Sequence, residues 1–204
     1  MNDLRRTRTL LALLVAAAIA ACSGGAGEGD APPGPPPLEG AAMGGPFELT
    51  SETGETVRDT DFAGEYRLIY FGYTFCPDVC PVDMQKLGQA MRALEERDAD
   101  LAARVQPIFI SVDPGRDTPE VLTEFTDSFH PRLLGLTGSP EVLADMVQRY
   151  GSYAEIPEGQ NAEGYLVNHS NNVIMYGPEG EPLVNLDMSA SPEDVAAEID
   201  RWAS

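Results

Sequence analysis

Residues 67–84 read Arg67-Leu-Ile-Tyr-Phe-Gly-Tyr-Thr-Phe-Cys76-Pro-Asp-Val-Cys80-Pro-Val-Asp-Met84. The first seven form a compact apolar and aromatic run, the length and composition of a buried strand. Beyond Met84, Leu87, Met91 and Leu94 recur at three- and four-residue spacing and predict a helix with one apolar face. Cys76 and Cys80 therefore fall where a strand ends and a helix begins. Exposed N–H groups and the helix dipole there predict lowered thiol pKa values and raised reactivity. Four helical residues rise about 6 Å, within the Cα separation that a disulfide spans. The same reach suits two sulfurs on one metal ion.

Working outward, Phe47–Leu49 and Thr56-Val57, joined around Thr53-Gly54, predict an N-terminal hairpin. Val105–Val112 predicts a second central strand, with Pro107 near its start. Thr118-Pro-Glu, Ser139-Pro-Glu and Ser191-Pro-Glu each place a capping hydroxyl, a first-turn proline and an acid at a helix start. Tyr165–Asn168, Val173–Tyr176 and Leu183–Leu186 read as strands, the last two forming a late hairpin around Pro178-Glu-Gly180. The fold class is α/β: a central sheet flanked by helices in thioredoxin-like order.

The N-terminus reads differently. Arg5, Arg6 and Arg8 precede an apolar run, Leu10–Ala21, too short to span a bilayer comfortably. Residues 1–21 read as a signal peptide, and Ile19-Ala-Ala-Cys22 resembles a bacterial lipobox, making Cys22 the lipidation site. Residues 22–46, rich in Gly, Pro and Ala, are expected to form an extended tether. Residues 47–204 suit one domain with one core. The formal charge is -20; removing residues 1–21 takes away three arginines and one aspartate and gives -22. Such acidity disfavours nucleic acid and anionic headgroups and names no function by itself.

With Cys22 lipidated, the folded domain keeps Cys76 and Cys80. In an oxidising compartment such a pair can form a structural disulfide, act in redox chemistry or bind metal. C-x-x-x-C is one residue longer than the spacing of dedicated dithiol oxidoreductases. A structural staple closing so short a loop stabilises little. Structural zinc prefers four ligands, whereas two thiolates and an imidazole suit Cu(I). His169, at the end of Tyr165-Leu-Val-Asn-His-Ser170, and His130, at a helix end, are the two candidate imidazoles; a surface, helix-terminal role suits His130 better. Asp78, between the cysteines, and Asp113, after the second central strand, are candidates for groups that orient the ligands. Arg116 shares that loop as an orienting or partner-docking candidate.

YFGYTFCPDVCP (70–81), ISVDPGRDTP (110–119), GLTGS (135–139) and YLVNHS (165–170) resemble the Sco/SenC family, in family order, from about Phe47 to Trp202. The resemblance implies a thioredoxin-like fold and a copper site of Cys76, Cys80 and His169. Asn168 stands where many relatives carry aspartate, and Gly115 where glutamate is common; neither change removes a ligand. It implies a metallochaperone delivering copper, as Cu(I) or Cu(II), to a cytochrome c oxidase subunit or another copper acceptor. A periplasmic thiol reductant would keep the pair reduced, and lipid on Cys22 would hold the chain at a membrane, the inner one by family precedent. A thiol–disulfide oxidoreductase is the alternative function. Palmitate labelling of cells is expected to mark the wild-type chain and not Cys22→Ser; equal labelling of both would exclude a lipid at Cys22.

Overall fold

The computed structural model describes residues 34–160 and 164–203. The expected signal peptide, Cys22 and the expected tether up to residue 33 lie outside the described residues. Among those described, no helix is long and apolar enough to cross a membrane.

Seven strands form one mixed sheet: β1 (Glu48–Ser51), β2 (Thr56–Arg58), β3 (Tyr66–Gly72), β4 (Val105–Ser111), β5 (Leu134–Thr137), β8 (Val173–Tyr176) and β9 (Pro182–Leu186). Their order is β2-β1-β5-β4-β3-β8-β9. The central pairs β3–β4 and β4–β5 are parallel, and the outer pairs are antiparallel. Two short strands, β6 (Ala154–Glu155) and β7 (Asn168–His169), pair outside this sheet. Among the described residues five α-helices accompany them: α1 (Val79–Arg97), α2 (Ala99–Ala103), α3 (Pro119–Asp127), α4 (Pro140–Arg149) and α5 (Pro192–Trp202). This is a thioredoxin-like arrangement extended by an N-terminal hairpin and a late hairpin.

Strand alternation divides the core. Leu68, Tyr70 and Phe109 join Met84, Leu87, Met91 and Leu94 of α1 and Val195 and Ile199 of α5 on one side. Ile69, Phe71, Ile108 and Ile110 meet Leu143, Met146 and Val147 of α4 on the other. β3 and β4 are buried on both faces, which is why they read as continuous apolar runs rather than alternating ones. The three Ser/Thr-Pro-Glu starts behave as expected: Thr118, Ser139 and Ser191 accept from the backbone N–H three residues on. The short helix α2, capped by Asp98, and the strand β5 escaped the sequence reading.

Part of the expected tether is described, and it lies against the domain. Leu38 N–H donates to Leu183 O at 3.0 Å, Gly44 N–H to Arg149 O at 2.8 Å, and the Tyr150 hydroxyl to Gly45 O at 2.5 Å. Leu38 and Met43 pack on the α4-side core. Two apolar side chains and satisfied backbone groups hold a segment whose composition suggested an extended chain.

Tyr165–Asn168 does not form the expected strand. The Leu166 N–H and C=O are both taken by the Gln160 side-chain amide, at 2.6 and 3.0 Å, and the Tyr165 carbonyl by Arg116. Ladder pairing is confined to Asn168 and His169, against Glu155 and Ala154.

His130 is buried rather than at the surface. Its Nδ1 accepts from Arg132 N–H at 3.2 Å and its Nε2 lies 3.4 Å from Glu95. Burial pulls its pKa below the ordinary imidazole value, and Glu95 opposes this. The folded pKa is thus depressed. The unfolded chain takes up more protons as pH falls past about 6.5, and the stability present above that pH is lost toward the folded pKa. Urea melts at about pH 7.5 and about pH 5.5 are expected to show a larger acid loss for wild type than for His130→Gln.

Candidate metal centre

The carboxyl ends of β3 and β4 lie side by side, with Gly72 paired to Ser111 and Val112 N–H donating to Gly72 O at 2.8 Å. One loop leaves β3, carries Cys76 and leads into α1 with Cys80 in its first turn; the other leaves β4 and carries Asp113, Arg116 and Asp117. Open α/β sheets place ligands at such strand ends.

Asp117 sets the cysteine loop. Its buried carboxylate accepts from Thr74 N–H at 3.1 Å, from the Thr74 hydroxyl at 2.6 Å and from the Ser111 hydroxyl at 2.6 Å. Desolvation raises its pKa, and these donors oppose the shift. The sequence reading missed Asp117, although its position in the Asp-Pro-Gly-Arg-Asp-Thr-Pro turn was a usable signal. Past Thr74 the chain turns through Cys76 N–H to Tyr73 O at 3.2 Å and enters α1. Pro81 sits in the first turn of that helix, where its missing N–H costs no internal bond.

Cys80 is in the first turn of α1 and fully buried; Cys76 is 9% exposed, and both thiols are free. Gly72 makes the room. A Cβ there would lie 2.9 Å from Cys80 Sγ, 2.9 Å from Phe109 Cε2 and 2.8 Å from Tyr70 Cε1. The expectation of a lowered thiol pKa fails for Cys80. Burial pushes its pKa far up, with smaller opposing contributions from hydrogen bonds, because taking a thiolate out of water outweighs the favourable helix end.

His169 comes from β7 and faces this sulfur. Its Nε2 is 3.2 Å from Cys80 Sγ, and its Nδ1 is 2.8 Å from Ser170 O. A carbonyl only accepts, so Nδ1 carries a proton, and in the neutral ring Nε2 presents its lone pair to the sulfur. Tyr70 and Tyr73 hold the ring edge-on, with centroids 6.1 and 5.6 Å away. The ligand atoms of Cys76, Cys80 and His169 all lie within 4.8 Å of one another. Three atoms each roughly 2.3 Å from a shared ion stand about 4 Å apart, so an inward adjustment of at most about 1 Å closes the set. Two sulfurs and an imidazole nitrogen suit copper.

The remaining candidates separate. Asp78 caps α1 by position, with no side-chain hydrogen bond, and is exposed beside a recess of about 340 Å³ that Cys76 and His169 also line. Asp113 is buried and bonds Arg116 and Tyr165. His130 is absent from the cysteine cluster. Sequence reasoning also missed Asp83, one helical turn past Cys80. Its buried carboxylate accepts from the Tyr70 hydroxyl at 3.0 Å, and burial raises its pKa.

The SCO1/SenC family model matches residues 35–204. The chain belongs to the SCO1/SenC family. Protein SenC of Rhodobacter capsulatus is 45% identical over 159 residues, covering 78% of this chain and 70% of that protein. The human mitochondrial SCO1 homolog is 37% identical over 157 residues, covering 77% of this chain; the match spans about half, 52%, of that protein's length. Among solved structures, copper-bound ScoI of Bradyrhizobium japonicum superposes with a TM-score of 0.72 at 36% identity, covering 79% of this chain and 99% of that one. Yeast Sco1 with copper bound gives 0.70 at 33% identity, covering 78% and 87%. SCO1/SenC proteins have thus been solved with copper bound, and this member carries a Cys-Cys-His group able to take it.

Gly72→Ala is expected to destabilise the protein by about 1–3 kcal/mol in urea melts, through overpacking against strand and helix atoms that have little freedom to move. It is also expected to weaken copper binding by displacing the Cys80 sulfur. An unchanged melt would contradict the tight contact around Gly72.

Proposed function

We propose that this protein is a copper carrier that takes up one copper ion on Cys76, Cys80 and His169 and passes it to a copper-accepting subunit of a cytochrome oxidase during assembly. The observation that carries this reading is the approach of His169 Nε2 to the buried Cys80 sulfur. A thiol reductase needs an accessible, ionised attacking sulfur. Here one sulfur is shut from water and faces an imidazole lone pair, an arrangement suited to holding a soft ion. Copper-bound structures of relatives support the choice of ion.

Loading requires the dithiol. Each cysteine releases a proton as its sulfur takes the metal, and His169 would bind through Nε2 while Nδ1 keeps its proton on the Ser170 carbonyl. An oxidant that joins Cys76 to Cys80 removes two electrons and two protons and abolishes both thiolate ligands, so thiol redox state gates loading. Delivery proceeds by ligand exchange: an acceptor thiolate or imidazole displaces one ligand at a time, through the recess where Cys76 and His169 reach the surface. Lipid attachment at Cys22, on the periplasmic side of a membrane, would keep the domain close to membrane-embedded acceptors.

Anaerobic titration of the reduced protein with Cu(I) tests the reading. One tight equivalent is expected, with affinity falling at least roughly tenfold in Cys76→Ala, Cys80→Ala and His169→Ala. If His169→Ala binds like wild type while the protein reduces disulfide substrates rapidly, the oxidoreductase function replaces this one.

A further inference from the structure

Cys76 and Cys80 are built into the strand–helix junction at the centre of the fold. His169 is not: it lies on a segment outside the main sheet, held by a two-residue ladder to β6. From Tyr165 to Val167 this segment has no strand partner, and Leu166 is exposed. Val167 packs into the core with Cys76 and Cys80, which leaves Tyr165, at the start of the segment, to be joined across a gap to the cysteine loop.

Arg116 spans that gap. Its Nε donates to Asp113 Oδ2 at 2.5 Å, and its Nη1 donates to the Tyr165 carbonyl at 2.9 Å. The guanidinium carbon stands 3.7 Å from the centre of the Tyr165 ring. It also stands 5.5 Å from the Tyr73 ring and 5.2 Å from the Phe75 ring, both on the cysteine loop. The Tyr165 hydroxyl closes the circuit by donating to the other Asp113 oxygen at 2.5 Å. Asp113 is itself 2% exposed, and its N–H is tied to the Ser111 hydroxyl at the end of β4. One planar cation thus stacks on Tyr165, bonds its carbonyl, and contacts the loop that carries Cys76.

Resting on the reading of Cys76, Cys80 and His169 as copper ligands, we infer that Arg116, anchored by Asp113, is the positioning residue that docks Tyr165 and so supplies the third ligand. The dithiol sits at the strand–helix junction, and the imidazole is carried on an arm held by the β6 ladder and by Val167 in the core, with Tyr165 as its further attachment. Undocking Tyr165 leaves copper on two sulfurs, the form from which an acceptor's own ligand most readily takes it. Lysine cannot substitute for Arg116, because an ammonium lacks the planar fork that bonds two partners while stacking on a ring.

The test is a double-mutant cycle on Cu(I) affinity, read by competition with the chromophoric chelator bicinchoninate, across wild type, Arg116→Lys, His169→Ala and the double variant. Arg116→Lys is expected to bind Cu(I) about tenfold more weakly, and the double variant no more weakly than His169→Ala alone. In the Cu(II)-loaded protein, the nitrogen hyperfine coupling from His169 is expected to fall in Arg116→Lys. Tyr165→Ala, which removes the docked ring without stranding a buried charge, is expected to give the same pattern and covers poor folding of the arginine variant. Multiplicative losses in the double variant, or an intact nitrogen signal with wild-type affinity in Arg116→Lys and Tyr165→Ala, would overturn the positioning role. Wild-type affinity and nitrogen signal in His169→Ala would instead overturn the ligand assignment beneath it.

Discussion

Gly72 has no side chain, and the Cys80 sulfur occupies the space beside it. Strand β3 must run straight into the cysteine loop, and helix α1 must come close enough to bury its first turn against that strand. Any side chain at position 72 would separate them. The depth of Cys80 follows from this contact, and so does its chemistry: a thiol without water stays protonated until something better than water replaces the proton. A soft cation satisfies that requirement where an isolated thiolate does not.

Around this point the supports are polar and mostly buried. Asp117 fixes the loop before Cys76 through Thr74, and Ser111 ties it to the neighbouring strand. The Ser170 carbonyl fixes the His169 tautomer. Tyr70 leans its hydroxyl on Asp83 while its ring faces the imidazole. Each ligand is thus oriented by a group that itself bonds to the frame, the arrangement by which proteins hold metal ligands in place before the metal arrives.

Much of the frame was legible in the sequence because its signals are local. Three Ser/Thr-Pro-Glu starts declare helices within three residues, and two buried strands declare themselves by uninterrupted apolar runs. The cysteine pair stood out by spacing and by position at a strand–helix junction. What escaped was non-local. Leu134–Thr137 is a four-residue strand whose burial depends on β4 and β1 lying to either side, and its Gly135 weakens the pattern. Tyr165–Asn168 has strand-like residues, yet its backbone groups are claimed by Gln160 and Arg116, partners that sequence does not point to. The fate of Cys80 turned on burial overcoming a helix end, a balance that only packing decides. His130 looked like a surface residue because helix ends usually are; the turn through Arg132 folds over it.

The stretch before the domain also bears on how copies of this chain meet. Strand β9 lies at the outer margin of the sheet, where unsatisfied carbonyl and amide groups invite a stray strand from another molecule. Leu38 donates its amide to Leu183 on that margin, and Pro182 opens the same strand without an N–H to offer. The chain thereby covers one carbonyl of its own exposed border with a short piece of itself, on a strand whose first residue has no amide to offer a neighbour.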